Sequence, residues 1–179
     1  MNAICNLTDF IFPNNDKLIY NNVLRKFFRI KHVCSFFVNG KPIQKGNHRG
    51  FKRGNKIIVT DSAGSSLAEW QDAIRVQAQK IVSKFPNYDW QNSVVYLGID
   101  FYRKHPGYHF TPSGKKSKRY TDIDNKPPDT DKLVRSVFDA LSGTMYADDG
   151  QANLEHAGKF FGHPGVNIHV YFLQEDTNE

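Results

Sequence analysis

Only two cysteines occur in the 179 residues, Cys5 and Cys34. They stand far apart and form no C-x-x-C pair, which argues against a disulfide framework and against a cysteine-built zinc site. The seven histidines do not restore a zinc reading. His105 and His109 are separated by Pro106 and Gly107, so they are not expected to share a helical face and are read as satisfied or solvent-exposed. No apolar run approaches the length of a membrane span, and the first residues lack the charged start, apolar middle and small-residue cleavage site of a secretory signal. A cytoplasmic protein with no membrane partner is expected. Internal repeats and low-complexity segments are also missing, and the length suits one core better than two full domains. With 39% hydrophobic and 13% aromatic residues the chain is globular in composition.

What is present in excess is positive charge. A formal charge of +6 and an isoelectric point near 9.3 suggest an anionic partner, and the charge is clustered. Lys41, Lys45, Arg49, Lys52, Arg53 and Lys56 fall in a glycine-containing stretch. Arg103, Lys104, Lys115, Lys116, Lys118 and Arg119 form a second stretch that leads toward an acidic segment. Both read as phosphate-contacting loops, which supply affinity without sequence information. The plain alternative is a pair of solvated loops.

The apolar pattern gives an α+β protein, a single domain in which a mixed sheet carries packed helices. Ser66 followed by Glu69 reads as a capping box, opening a helix to about Ser83 with Leu67, Trp70, Ile74, Ala78, Ile81 and Val82 on one side. Residues 93–102 alternate as a strand, although apolar residues occur on both faces; residues 166–172 repeat the pattern and 152–161 read as another strand. Residues 1–32 are set apart as an N-terminal extension. There Ile19, Val23, Phe27 and Ile30, after the polar start at Asn14, Asn15 and Asp16, predict a docked helix.

The most informative segment is PPDTDKLVRSVFDALSGTMYADDGQ, residues 127–151. Two prolines disfavour helix before Asp129, and Leu133, Val134, Val137, Phe138 and Leu141 then make a core-facing stripe until Ser142 and Gly143 stop it. A helix over 131–142 follows. Asp129 and Asp131 lie two apart on an extended approach, so their carboxylates can point the same way. Arg135 is one turn further along the face of Asp131, and Asp148 and Asp149 return to acid before the next strand. Crowded carboxylates repel unless a cation offsets them, and all-oxygen ligands favour a hard ion such as Mg²⁺ beside phosphate. Such an ion polarises a phosphoryl oxygen or activates water. The same residues would equally serve as ordinary helix caps and an ordinary Asp-Asp-Gly turn.

These motifs resemble the signature of the RusA family of Holliday junction resolvases, which runs PD-x-D-N-L-x-K, then D-A-L, then D-D-x-Q-V. The resemblance covers approximately residues 33–174, weakly over the upstream part CSFFVNGKPIQKGNHRGFKRGNKIIVT, and leaves 175–179 as a tail. It implies a RusA-like, homodimeric, Mg²⁺-dependent endodeoxyribonuclease, with Mn²⁺ as a substitute ion and no small-molecule cofactor. The implied substrate is branched DNA, four-way junctions above all, cut by paired phosphodiester hydrolysis. Many members of the family belong to phages or prophages, so the setting implied is a bacterial or phage-infected cell. Carried over, Asp129, Asp131 and Asp149 are the metal-binding and catalytic residues. Asp148 matches the other half of the acidic pair, and Lys159 matches a lysine that follows it. With Lys159, the residues expected on DNA are Lys45, Arg49, Lys52, Arg53, Lys115, Lys116, Lys118 and Arg119.

Three positions depart from the family pattern. Lys132 replaces an asparagine, Ala152 a valine, and Arg135 a lysine tied to catalysis. Arginine keeps the charge but does not release a proton, so Arg135 substitutes only if charge is what matters; otherwise Lys132 would have to assist. Asp122-Ile123-Asp124-Asn125 imitates the motif, yet Lys126 and two prolines follow where a helix should start, so Asp122 and Asp124 are read as loop residues, at most with an outer-shell role. A restriction-type nuclease would need D/E-x-K after P-D, and nothing suitable follows. The remaining alternative is a non-catalytic binder of branched DNA that uses the aspartates as caps.

Overall fold

In the computed structural model the described residues are 17–21, 25–46, 48–54, 56–61 and 64–175. Five strands form one mixed sheet in the order β1-β2-β7-β5-β6. They are β1 (Lys17–Asn21), β2 (Lys26–Asn39), β5 (Val94–Arg103), β6 (Ala152–Phe161) and β7 (Gly165–Glu175). All neighbours are antiparallel except β5 and β6, which run parallel. A parallel pair needs a long crossover, and here it contains the second of two helices, α1 (Gly64–Lys84) and α2 (Thr130–Leu141). The strands β3 (His48–Arg53) and β4 (Lys56–Asp61) pair as a separate hairpin. No helix among the described residues is long and apolar enough to cross a membrane.

The register explains why β5 looked apolar on both faces. Val95, Leu97, Ile99 and Phe101 pair with Phe172, Val170, Ile168 and Val166 of β7. All eight are buried in one cluster with Trp70, Ile74 and Ala78 of α1 and Leu133, Val137, Ala140 and Leu141 of α2. Each deeply buried aliphatic or aromatic side chain contributes roughly 1.5–3 kcal/mol by leaving water, so this face fixes where α2 lies on the sheet. The other face carries Tyr96, Gly98, Asp100 and Tyr102 opposite Tyr171, His169, Asn167 and Gly165.

Three expectations are corrected. The docked helix over Ile19 to Ile30 is instead two antiparallel strands, with Ile19 opposite Phe28 and Ile30 opposite Leu173 of β7; Val23 lies outside the described residues. Long-range pairing along the whole of β2 overrides a local spacing that fits either period. The first basic stretch is largely the β3–β4 hairpin rather than a loop. The helix α1 opens at Gly64, so Ser66 lies inside its first turn and is not the cap. His105 and His109 share no α-helical face and are satisfied, as expected: they meet Nδ1 to Nδ1 at 3.0 Å, with residues 107–109 in a 3-10 turn.

Candidate functional site

The sequence leading into α2 is held to the ends of β5 and β6. Asp124 has a buried side chain gripped by both arms of Arg103, with Nε to Oδ2 at 2.5 Å and Nη2 to Oδ1 at 2.8 Å. Burial pushes the Asp124 carboxyl up, but the Arg103 hydrogen bonds and the Lys126 backbone N–H outweigh it and hold the group below its ordinary value. The backbone N–H of Asp124 bonds to the carbonyl of Lys159. Lys159 Nζ in turn donates to the carbonyls of Lys126 at 2.7 Å and Pro128 at 2.8 Å. Asp122 takes His105 and Lys116. The imitation motif thus anchors the approach to the real one, and Lys159 is a clamp on that same loop.

Asp129 occupies the N-cap position in an extended conformation, yet its side chain makes no capping hydrogen bond. It pairs instead with Lys132 Nζ at 3.2 Å. Asp131, in the first turn of α2, accepts from Arg135 Nη2 at 3.2 Å. The two carboxylates are therefore exposed and held by cations one turn away.

After α2 the chain turns at Gly143, whose φ of +74° favours glycine. Tyr146 is buried and its hydroxyl donates to the carbonyl of Phe138 at 2.9 Å. Burial, then the charges of Asp149 and Asp139, push that phenol up. This anchor delivers the acidic pair, whose two members separate in role. Asp148 caps the 3-10 turn of Asp149–Gln151, its carboxylate accepting from Gly150 N at 2.8 Å while the Gln151 side chain returns to the Asp148 backbone. Asp149 is exposed and has no side-chain partner among the described residues.

Asp131 and Asp149 line one cavity of about 460 Å³, together with Arg135 and Lys45. Lys45 is brought there by its backbone N–H bonding to the carbonyl of Lys132, and its Nζ lies 2.7 Å from Asp139. Val134, Phe138 and Leu154 make the apolar wall. Three acids, Asp131, Asp139 and Asp149, and two bases around one hollow suit a phosphate and a cation together. The donor set is hard oxygen only, which fits a divalent ion of the Mg²⁺ type in kind. Among the described residues, however, no three His, Cys, Asp or Glu side chains are gathered closely enough to hold an ion.

The basic residues divide. Lys115, Lys118 and Arg119 are exposed, whereas Lys116 is paired with Asp122. Arg49, Lys52 and Arg53 fall on β3, and their side chains lie outside the described residues. Two groups were not foreseen. One is the Arg103–Asp124 pair, whose only signal was an acid in a basic stretch. The other is on the open sheet face, where Asp100 lies between His156 and His169, each Nε2 at 3.7 Å. Ser35 Oγ bridges His169 and His32 at 2.7 and 2.9 Å. These residues come from four strands, so no local pattern announces them.

Comparison with known proteins agrees with this layout. The family model described as endodeoxyribonuclease RusA matches residues 39–171, taking in β5, α2, the acidic turn and β6. The chain is also similar to the uncharacterized protein YqaN of Bacillus subtilis (strain 168), 27% identical over 138 residues, which is 75% of this chain and 93% of that protein.

Proposed function

The chain belongs to the RusA family of endodeoxyribonucleases, and on that premise we propose that it cuts four-way DNA junctions by hydrolysis dependent on a divalent metal, Mg²⁺ or in its place Mn²⁺. The observation that carries the reading is the state of the acids. Asp129 sits at a cap position without capping, and Asp131 and Asp149 face one cavity with Arg135 and Lys45. A protein using these aspartates as helix caps would bond them to backbone N–H groups, as it does the neighbouring Asp148.

Asp129, Asp131 and Asp149 are the residues that would hold the ion. A bound ion of this kind polarises the phosphoryl oxygen and makes water a better nucleophile. Asp129 and Asp131 would then no longer depend on their pairings with Lys132 and Arg135. The Arg135 guanidinium would be free to face the phosphate and offset charge that grows on its oxygens. Lys45, paired with Asp139 one turn along the helix from Arg135, adds a second positive charge to the same cavity. Arg135 supplies charge and a fork of donors but no proton, so the leaving oxygen takes its proton from solvent or from Lys132. Symmetric cutting needs two such sites, which a twofold homodimer supplies. Exposed Lys115, Lys118 and Arg119 track the backbone, and the basic β3 does the same. DNA chemistry of this kind places the protein in the cytoplasm of a bacterial or phage-infected cell.

The test is an end-labelled four-way junction incubated with Mg²⁺. Wild type should give paired nicks. Asp131→Asn and Asp149→Asn should bind the junction within a few-fold of wild type and cut at least roughly 10²-fold more slowly, the scale of losing one transition-state stabiliser. Cutting by both variants at the wild-type rate would remove the site, and binding by wild type that survives chelation with no cutting in Mg²⁺ or Mn²⁺ would favour the non-catalytic alternative.

A further inference from the structure

A second cavity, of about 370 Å³, opens between the 3-10 turn of Gly107–His109 and the loop 119–126. That volume falls in the range of small-molecule sites, about 300–1,000 Å³. Its walls are rings. His109 stacks on Tyr120 with centroids 4.2 Å apart and planes 11° from parallel. Phe161 meets His109 edge-on at 5.0 Å, and Tyr108 meets Tyr120 edge-on at 5.7 Å. The rim is polar and basic, with Arg119, Asn125 and Lys126. Tyr108 is 61% exposed and Ile123 65% exposed, apolar surface that no other described residue covers. We propose that this cavity is a nucleobase subsite, in which one base unstacked from the DNA lies against Tyr108 and Tyr120 while Arg119 and Lys126 hold its flanking phosphates. The proposal rests on the nuclease reading above.

First, a duplex lying across this surface would present phosphates and sugars, which call for cations but not for a four-ring pocket. Stacked bases reward aromatic faces and guanidinium planes. Second, the pocket is prebuilt. Asp122 accepts from His105 Nε2 at 3.0 Å. If that nitrogen carries the proton, His105 Nδ1 must accept from His109 Nδ1 across 3.0 Å. The relay fixes the His109 ring and, through it, Tyr120, so little ordering is left for binding to do. Third, the pocket adjoins the acids. Lys126 at the rim gives its carbonyl to Lys159, which also holds Pro128, the residue before Asp129. Three residues of chain reach at most about 11 Å, so the captured base belongs within about three nucleotides of the phosphate at Asp129. An unpaired or easily unpaired base is available at a branch point and not in the middle of a duplex. Asn125 offers both a donor and an acceptor to the edge of that base.

The test uses the full chain under chelating conditions, so that the DNA stays intact. Four-way junctions carrying 5-iodouracil at successive positions around the branch are irradiated and the cross-linked peptide is identified. In parallel, junction affinity is measured for wild type, Tyr108→Ala and Tyr108→Phe. Tyr108 is exposed, so neither change endangers folding. Expected are cross-links to residues 108–126 from positions within about three nucleotides of the cut. Tyr108→Ala should weaken binding about 5- to 150-fold, as losing one stacked base does, and Tyr108→Phe should restore it. Cross-links confined to other segments, or Tyr108→Ala binding like wild type, would overturn the pocket while leaving the nuclease reading intact if wild type still cuts. Failure of wild type to bind junctions at all would overturn the nuclease reading, and the pocket with it.

Discussion

At the residue scale, neighbouring aspartates of the same type do opposite jobs because of one hydrogen bond. Asp148 is spent on backbone N–H groups, whereas Asp129 and Asp149 make no such bond and remain available to a ligand. This separates stability from activity. Asp148→Ala should lower stability by about 1 kcal/mol, the ordinary worth of a cap, while Asp129→Asn should leave the unfolding midpoint unchanged and abolish cutting; urea unfolding and junction cleavage read the two. Arg135 allows a second test. Its contact with Asp131 is exposed, so it adds little to stability, and in the proposed function its role is charge on the phosphate. Arg135→Lys should keep most of the cutting rate with an unchanged pH profile, and Arg135→Ala should lose roughly 10²- to 10³-fold. A lysine variant that is faster and gains a new basic limb in its pH profile would show proton exchange at this position instead.

At the element scale, α2 works because both of its ends are fastened independently of the acids. Its apolar stripe sits on β5 and β7, Tyr146 ties the turn after it to the Phe138 carbonyl, and Arg103 with Lys159 ties the loop before it to β5 and β6. The acids are thus carried by a rigid frame and need not hold it together. The most exposed point of failure is the buried carboxylate of Asp124. Arg103→Ala strands that charge and should cost roughly 3–5 kcal/mol. The loss of stability should appear in urea unfolding, with slower cutting through a loosened lead into Asp129. Gly98 is a similar constraint on the parallel pair, since a Cβ there would fall 2.3 Å from the His156 ring.

At the scale of the whole molecule, the sheet has two unlike faces. One is covered by α1 and α2; the other carries Asp100 with His156, His169, Ser35 and His32. Asp100 is 4% exposed. Burial pushes its carboxyl up, but the two flanking imidazoles outweigh that and hold it at about 2. Its folded value lies below its unfolded one, so it stabilises the fold above the unfolded value, near 3.8. That contribution, about 2 kcal/mol, disappears as pH falls toward 2. Urea unfolding of wild type and Asp100→Asn between pH 2 and 5 should therefore show a gap that opens as pH rises.

Local pattern alone determined the two helices, the strands from Val94 onward and the acidic motif, because 3.6- and 2-residue periods and proline-glycine punctuation act within a few residues. The core stripe Leu133, Val137 and Leu141 was legible for the same reason. Everything that depends on partners distant in sequence was decided only by tertiary structure. The segment before residue 33 became strand because β7, some 140 residues later, offered it a ladder. Asp124 became an anchor because Arg103 reached it. Lys159 became a clamp through carbonyls about thirty residues upstream, and histidines of two strands, His156 and His169, converged on Asp100. Side-chain charge is the same in either setting; which opposite charge or backbone group lies within hydrogen-bond reach is a property of the folded chain alone.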